Sequence, residues 1–269
     1  MQEMHSNLGG PVTRRRVVGG MIATPAAMSF PASASAAGAT PTAKIIAIVA
    51  RKAGLSPDRF RAHWLGAHAP LAGELPGIDG LVLSEAVLSG TGDGPFDGIA
   101  HAWYPRRDAL RAGLATPEAR AWIADGNVFI DRDASRTFLV SEQIVIAPPR
   151  SQGGIKQNML LVRRPGMTHA QFLAEWTGAH AELARDMPGL VGCVFNRVDA
   201  ALGAGSAWSE IGGIAELWWE DGAINLGGAV ASPQASAWAA DGDRFIDRER
   251  SRTIVSLEHV VRGTETRWA

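Results

Sequence analysis

The sequence predicts an α+β protein made of two tandem ferredoxin-like (βαββαβ) units packed sheet to sheet. An internal repeat and the order of apolar runs and capping signals within each copy carry this reading. Phe60, Trp64, Gly66, Ala67, His68 and Ala69 recur as Phe172, Trp176, Gly178, Ala179, His180 and Ala181, part of a ten-residue match with seven identities. Residues 121–137 match 237–253 at twelve of seventeen positions, including Trp122/Trp238, Asp125/Asp241 and Arg132/Arg248. Self-similarity at such a spacing marks a duplicated unit. The copies span 44–147 and 157–262, and residues 148–156, opening with Pro148-Pro149, have linker composition.

Each copy reads in the same order. Lys44–Ala50 and Asn158–Val162 are strand-length apolar runs. Ser56-Pro57 places an N-cap before a proline at the first helical position, and Thr168-His169-Ala170-Gln171 is a capping box. These helices are expected to end near Pro76-Gly77 and Pro188-Gly189, with Pro70 kinking the first just past His68 by removing a backbone bond. Second strands are expected over Leu81–Val87 and Val191–Val198, and third strands over Ile99–Tyr104 and Ile214–Trp219. Thr116-Pro117 and Ser232-Pro233 open second helices, expected to stop at Gly126 and Gly242. Thr137–Ile146 and Thr253–Val261 close the units. Each βαββαβ unit leaves one sheet face bare, and a bare face must find a partner. Two joined copies are therefore expected to cover each other and to enclose a cavity between the sheets.

Composition narrows the function classes. The chain has 269 residues, with 26 Lys+Arg against 27 Asp+Glu, which argues against a broad nucleic-acid-binding surface. Cys193 is the single cysteine, so neither an intrachain disulfide nor a cysteine-based zinc site is available. Residues 1–36 read as a Tat-type signal: Arg14-Arg15-Arg16, an apolar run diluted by glycine and threonine, then Ala34-Ser35-Ala36 as the expected cleavage site. Export to the periplasm or beyond is the expectation. No membrane span is expected, because that apolar run is well short of the roughly 20 residues a span needs.

Three spaced patterns then carry a resemblance. They are Phe-x-x-x-Trp-x-x-x-His-Ala at 60–69 and 172–181, a Pro-Gly twelve residues after each tryptophan, and Gly-Ile-Ala-x-x-Trp at 98–103 and 213–218. In these the chain resembles the EthD family of the dimeric α+β-barrel superfamily, as a tandem two-copy member. The resemblance implies an intrachain version of a barrel that single-copy relatives form by dimerising. Relatives include a protein needed for ethyl tert-butyl ether breakdown and cofactor-free polyketide cyclases or decarboxylases. The wider superfamily includes quinone-forming monooxygenases and haem enzymes.

The candidate catalytic residues are His68, His180, His101 and Glu216. His68 and His180 each follow a tryptophan by four residues, on one helical stripe. Desolvation there would lower the imidazole pKa and leave a neutral base; the alternative task is to hold the helix end against the sheet. His101 and Glu216 occupy matching places in the third strands, where the copies differ. Alternation groups them on one face with Trp103 and Trp218 as stacking walls, and the cost of burying a lone charge under the helices turns that face toward the expected cavity. Trp64 and Trp176 complete the expected substrate-binding set. Asp125, Asp131, Arg132 and Arg136 recur as Asp241, Asp247, Arg248 and Arg252, which favours a structural task.

The expected function is cofactor-independent acid/base chemistry, of oxidoreductase or monooxygenase type or of cyclase, decarboxylase or lyase type. Its expected substrate is a small apolar aromatic or polyketide-like carbonyl compound held between the sheets. No cofactor or metal is expected from the motifs. The alternatives are a haem protein, with His68, His101 or His180 as axial ligand, and a non-catalytic exported ligand-binding protein. A monomer with an intrachain pseudo-dimer and a homodimer both remain open.

Overall fold

A computed structural model describes residues 43–89, 96–149, 155–202, 210–220 and 232–263. The signal-like segment, 1–36, lies outside them. The first copy runs β1 (Ala43–Val49), α1 (Pro57–His63), a π-helical turn (Trp64–His68), α2 (Ala69–Gly73), β2 (Gly80–Ser89), β3 (Gly98–Tyr104), α3 (Arg107–Leu114), α4 (Pro117–Phe129) and β4 (Arg136–Ile146). The second runs β5 (Ile155–Val162), α5 (His169–Thr177), α6 (Ala179–Arg185), β6 (Leu190–Leu202), β7 (Ile211–Trp219), α7 (Pro233–Gly242) and β8 (Arg252–Arg262).

The helix starts follow their capping residues. The Ser56, Thr116, Thr168 and Ser232 side chains each accept a backbone N–H from the first turn. Gly77 and Gly189 sit at φ +76° and +74°, the left-handed region that a Pro-Gly turn requires. Three details differ from expectation. The first helix is distorted before His68 rather than past it: the turn widens to a π-helix, with the Ala69 N–H bonded to the Trp64 carbonyl, ahead of the proline that cannot join the regular ladder. Gly126 does not stop its helix, since α4 continues to Phe129. A Cβ at Gly126 would lie 3.2 Å from His68 Cε1, so the glycine serves a close approach there. Finally, α3 has no counterpart in the sequence reading, because only Leu110 and Gly113 of its eight residues are buried and the periodic signal is correspondingly short.

Each copy orders its strands as the ferredoxin-like pattern requires, β4-β1-β3-β2 and β8-β5-β7-β6. The two four-stranded halves join edge to edge through antiparallel β2–β8 and β4–β6 pairs. The result is one closed eight-stranded barrel, β1-β3-β2-β8-β5-β7-β6-β4. Closure leaves no unpaired edge among these strands. Both seams carry register shifts, next to Val82, Leu88, Val140 and Ile146, which supply the local bending that a closed barrel needs.

Three cores follow from this arrangement. Outside the wall, each copy packs its helices on its own half-sheet, around Phe60, Trp64, Leu110 and Phe129 in the first and Phe172, Trp176, Phe195 and Phe245 in the second. Inside the wall, one end is hydrocarbon, with Ile46, Ile48, Ile99, Phe138, Leu160 and Ile214 among its members. The other end carries charge.

Candidate functional site

The charged end grows from matching places in the two copies. Lys44 on β1 pairs with Glu142 on β4 at 3.0 Å, and the indole N–H of Trp103 on β3 donates to the same carboxylate at 3.1 Å. Lys156 on β5 pairs with Glu258 on β8 at 2.9 Å, and the indole N–H of Trp218 on β7 donates to Glu258 at 2.9 Å. Each ammonium also lies over its tryptophan, 4.7 and 5.1 Å from the ring centroids. Glu216 breaks the symmetry. Its carboxylate pairs with Lys44 through one oxygen and with Lys156 through the other, the latter at 2.7 Å, and accepts the Asn196 amide at 2.9 Å.

His101 stands where the first copy has no glutamate. It is fully buried, and its Nδ1 lies 3.5 Å from Glu216 Oε2. Neither ring nitrogen has a hydrogen-bond partner among the described residues, and neither do Ser84 Oγ, Asn158 Oδ1 and Asn196 Oδ1. Burial pushes the His101 imidazole well below its usual pKa; the Glu216 charge opposes this and the two ammonium groups reinforce it. Burial alone would raise the Glu216 carboxyl, but the Lys156 and Lys44 ammonium groups facing it outweigh burial and keep it ionised. The same balance raises Lys156, where Glu216 and Glu258 overcome desolvation.

His101 and Glu216 reach each other from opposite walls and bridge the lumen at their level.

The remaining candidates lie outside the wall. Trp64 and Trp176 are buried under the helices, against Gly98 and Gly213, where an added Cβ would overlap the indole rings. His68 and His180 sit beside them, apart from the lumen. His68 Nδ1 meets Asp125 Oδ2 at 2.7 Å, and His180 Nδ1 meets Asp241 Oδ2 at 2.9 Å. With Nδ1 committed to the carboxylate, Nε2 is the lone-pair nitrogen of the neutral ring. Burial lowers both imidazoles from their usual pKa, against the pull of the paired aspartate. Each ring stacks on a tryptophan, His68 on Trp122 at 5.3 Å and His180 on Trp238 at 5.0 Å.

An arginine completes each dyad. A Cβ on Gly126 would meet Arg132 Nη2 at 2.6 Å as well as His68 Cε1, and one on Gly242 would meet Arg248 Nη2 at 3.2 Å and His180 Cε1 at 3.4 Å. Each copy therefore holds a His–Asp–Arg cluster around a helical glycine. In the first copy it reaches the surface through Asp125 and His63, whose side chains are 22% and 35% exposed.

The sequence reading missed Lys44, Lys156, Glu142 and Glu258. Their signal was present: charged residues at matching, same-face positions of otherwise apolar strands. Among the described residues no group of three or more His, Cys, Asp or Glu side chains is arranged to hold a metal ion. His68 and His180 are each held at Nδ1 by an aspartate and flanked by aromatic rings.

A family model for the EthD domain matches residues 52–133 and 164–249, together more than half of the chain. The chain belongs to the EthD family. Solved structures similar to this EthD protein include an anthrone oxidase-like protein, at 10% identity over 83% of this chain and 94% of that one, with a TM-score of 0.56. A monooxygenase candidate from Fusobacterium nucleatum subsp. nucleatum aligns at 9% identity over 82% and 94%, with a TM-score of 0.52. An EthD-family protein from Bacillus halodurans shows 22% identity over 38% of this chain and 99% of that one, with a TM-score of 0.34. At these identities the two larger likenesses speak to the fold alone, the dimeric α+β barrel. No match is found among curated proteins. No helix of the described residues is long and apolar enough to cross a membrane.

Proposed function

We propose that this EthD protein is a cofactor-independent acid/base enzyme acting on a small apolar aromatic or polyketide-like carbonyl compound, with the His68–Asp125–Arg132 cluster as its base site. The observation that supports this is the cluster itself: a neutral imidazole oriented by a carboxylate, beside a guanidinium, at a place that reaches the surface. Nε2 of His68 takes the acidic proton next to the substrate carbonyl. The electron pair of the broken C–H bond passes into the carbonyl as an enolate, whose charge Arg132 stabilises. Asp125 stabilises the imidazolium formed in that step and keeps the ring in one tautomer. The enolate then cyclises or reacts with dioxygen, according to the substrate; a β-keto acid would instead reach the same enolate by losing carbon dioxide, its charge again held by Arg132.

An anthrone is a suitable first compound, because its methylene protons are acidic and its rings are apolar. In deuterium oxide the protein should speed exchange of those protons, read by NMR. His68→Asn, which keeps a donor toward Asp125 but no base, should remove about 10² to 10⁴-fold of the acceleration. An absence of exchange with anthrones and aromatic β-keto compounds alike, with the fold intact, would leave only ligand binding as the role.

The partnerless nitrogens of His101 favour a second reading, in which His101 and Glu216 are the acid/base pair and the lumen opens to admit substrate. Exchange that survives His68→Asn and is lost in His101→Ala would select it. Export is a further part of the proposal, resting on the arginine run. Cell fractionation should find the chain outside the cytoplasm and find it retained when Arg14, Arg15 and Arg16 become lysine; equal distribution of both forms would refute it.

A further inference from the structure

Asp125 offers its second carboxylate oxygen to His63, whose Nε2 lies 3.0 Å from Oδ1. The second copy keeps the inner contact of its aspartate and changes the outer one. There Asp241 Oδ1 accepts from Arg244 Nη1 at 2.9 Å, and Arg244 Nη2 reaches Glu175 at 3.1 Å. Glu175 stands at the place of His63, and Arg244 at the place of Val128. The cation on the outer oxygen is thus permanent in the second copy, while in the first it exists only when His63 carries a proton.

We propose that His63 is a positioning residue that sets the base strength of His68, and that Arg244 locks the matching dyad of the second copy, leaving the first as the working one. That the first dyad is the working one rests on the function proposed above; the difference between the dyads does not. A carboxylate facing a neutral His63 lends its full charge to the imidazolium that forms on His68. A protonated His63 shares that charge and repels the imidazolium. Arg244 imposes the second condition on Asp241 throughout the working pH range. The charged groups around His68 are Asp125, Arg132 and His63. His63 itself faces Asp125 and the Phe129 ring, both on α4, with the ring centroids 4.6 Å apart.

Imidazole NMR titration of the whole protein separates the possibilities. In the wild type, His68 should titrate in a broadened, two-step curve and His180 in one step. His63→Gln should turn the His68 curve into a single step and move its midpoint up by about half a pH unit, the size of one partly screened charge. The double variant His63→Glu/Val128→Arg, which copies the second arrangement at a position 68% exposed, should give one step with no upward move. The His180 curve should stay put in both and so reports intact folding. A His68 curve that His63→Gln leaves unchanged would overturn the proposal. The converse double variant, Glu175→His/Arg244→Val, leaves the first copy untouched and should give His180 the two-step curve; a single step there overturns it equally. Absence of proton exchange on any substrate, with the titration pattern intact, would count against the enzymatic reading alone.

Discussion

His101 on β3 and Glu216 on β7 come from strands four places apart in either direction around the barrel, and their side chains meet across its centre at 3.5 Å. The copies are therefore joined inside the wall as well as along its two seams. Glu216 is the hub of that joint, since it also holds Lys44 from the first copy and Lys156 from the second.

Glu216→Gln should accordingly destabilise the fold by about 3–5 kcal/mol, because it leaves two buried ammonium groups without their shared anion. Equilibrium denaturation in urea checks this. A loss under about 1 kcal/mol would mean that Glu142 and Glu258 suffice to neutralise the lysines.

His101→Leu should behave in the opposite way. It removes two polar atoms that lack partners and keeps the bulk, so stability should be unchanged or rise by about 1–2 kcal/mol. The same denaturation curves read it, and a large loss would show that His101 holds Glu216 in place.

Gly98 and Gly213 are the floors on which Trp64 and Trp176 rest. Gly98→Ala or Gly213→Ala should each cost about 1–3 kcal/mol or more by driving a methyl group into the indole. Thermal melts should show the drop, with Gly54→Ser as a contrast: Gly54 has open space around it and loses only the ease of a positive φ of +83°.

Stability should fall in two stages on acidification. His68, His101 and His180 are held below the usual 6.5 chiefly by burial, so the unfolded chain binds more protons once the pH drops below that value. Their contribution is complete above 6.5 and declines below it. Asp125, Glu142 and Glu216 are held below their usual 3.8 and 4.5 because their cationic and hydrogen-bonding partners outweigh desolvation, and theirs is lost as the pH falls through that range. A melting temperature that is flat near neutrality, declines below 6.5 and steepens below 4.5 is expected. A rise between 6.5 and 5 would contradict the neutral-histidine core.

The doubled unit, its strand order and its capped helix starts were legible in the sequence, because strands and caps depend on neighbours a few residues apart and the repeat is written in the residues themselves. Ser56-Pro57 and the Thr168–Gln171 box act within one turn. The facing of His101 and Glu216 was legible as well, since alternation groups residues by face and the cost of burying a lone charge says which face the helices leave uncovered.

Distance across the fold was not legible. That these two side chains touch depends on β3 and β7 lying opposite each other, which strand order and closure at two seams decide. The width of the barrel is decided in the same way: it is set by the number of strands, and no single strand encodes it. Asp125 meets His68 and His63 only because α4 packs against the first helical segment. The sequence thus fixes which residues each element offers, and the tertiary structure fixes which offers meet, because contacts between distant segments follow from packing rather than from local chain geometry.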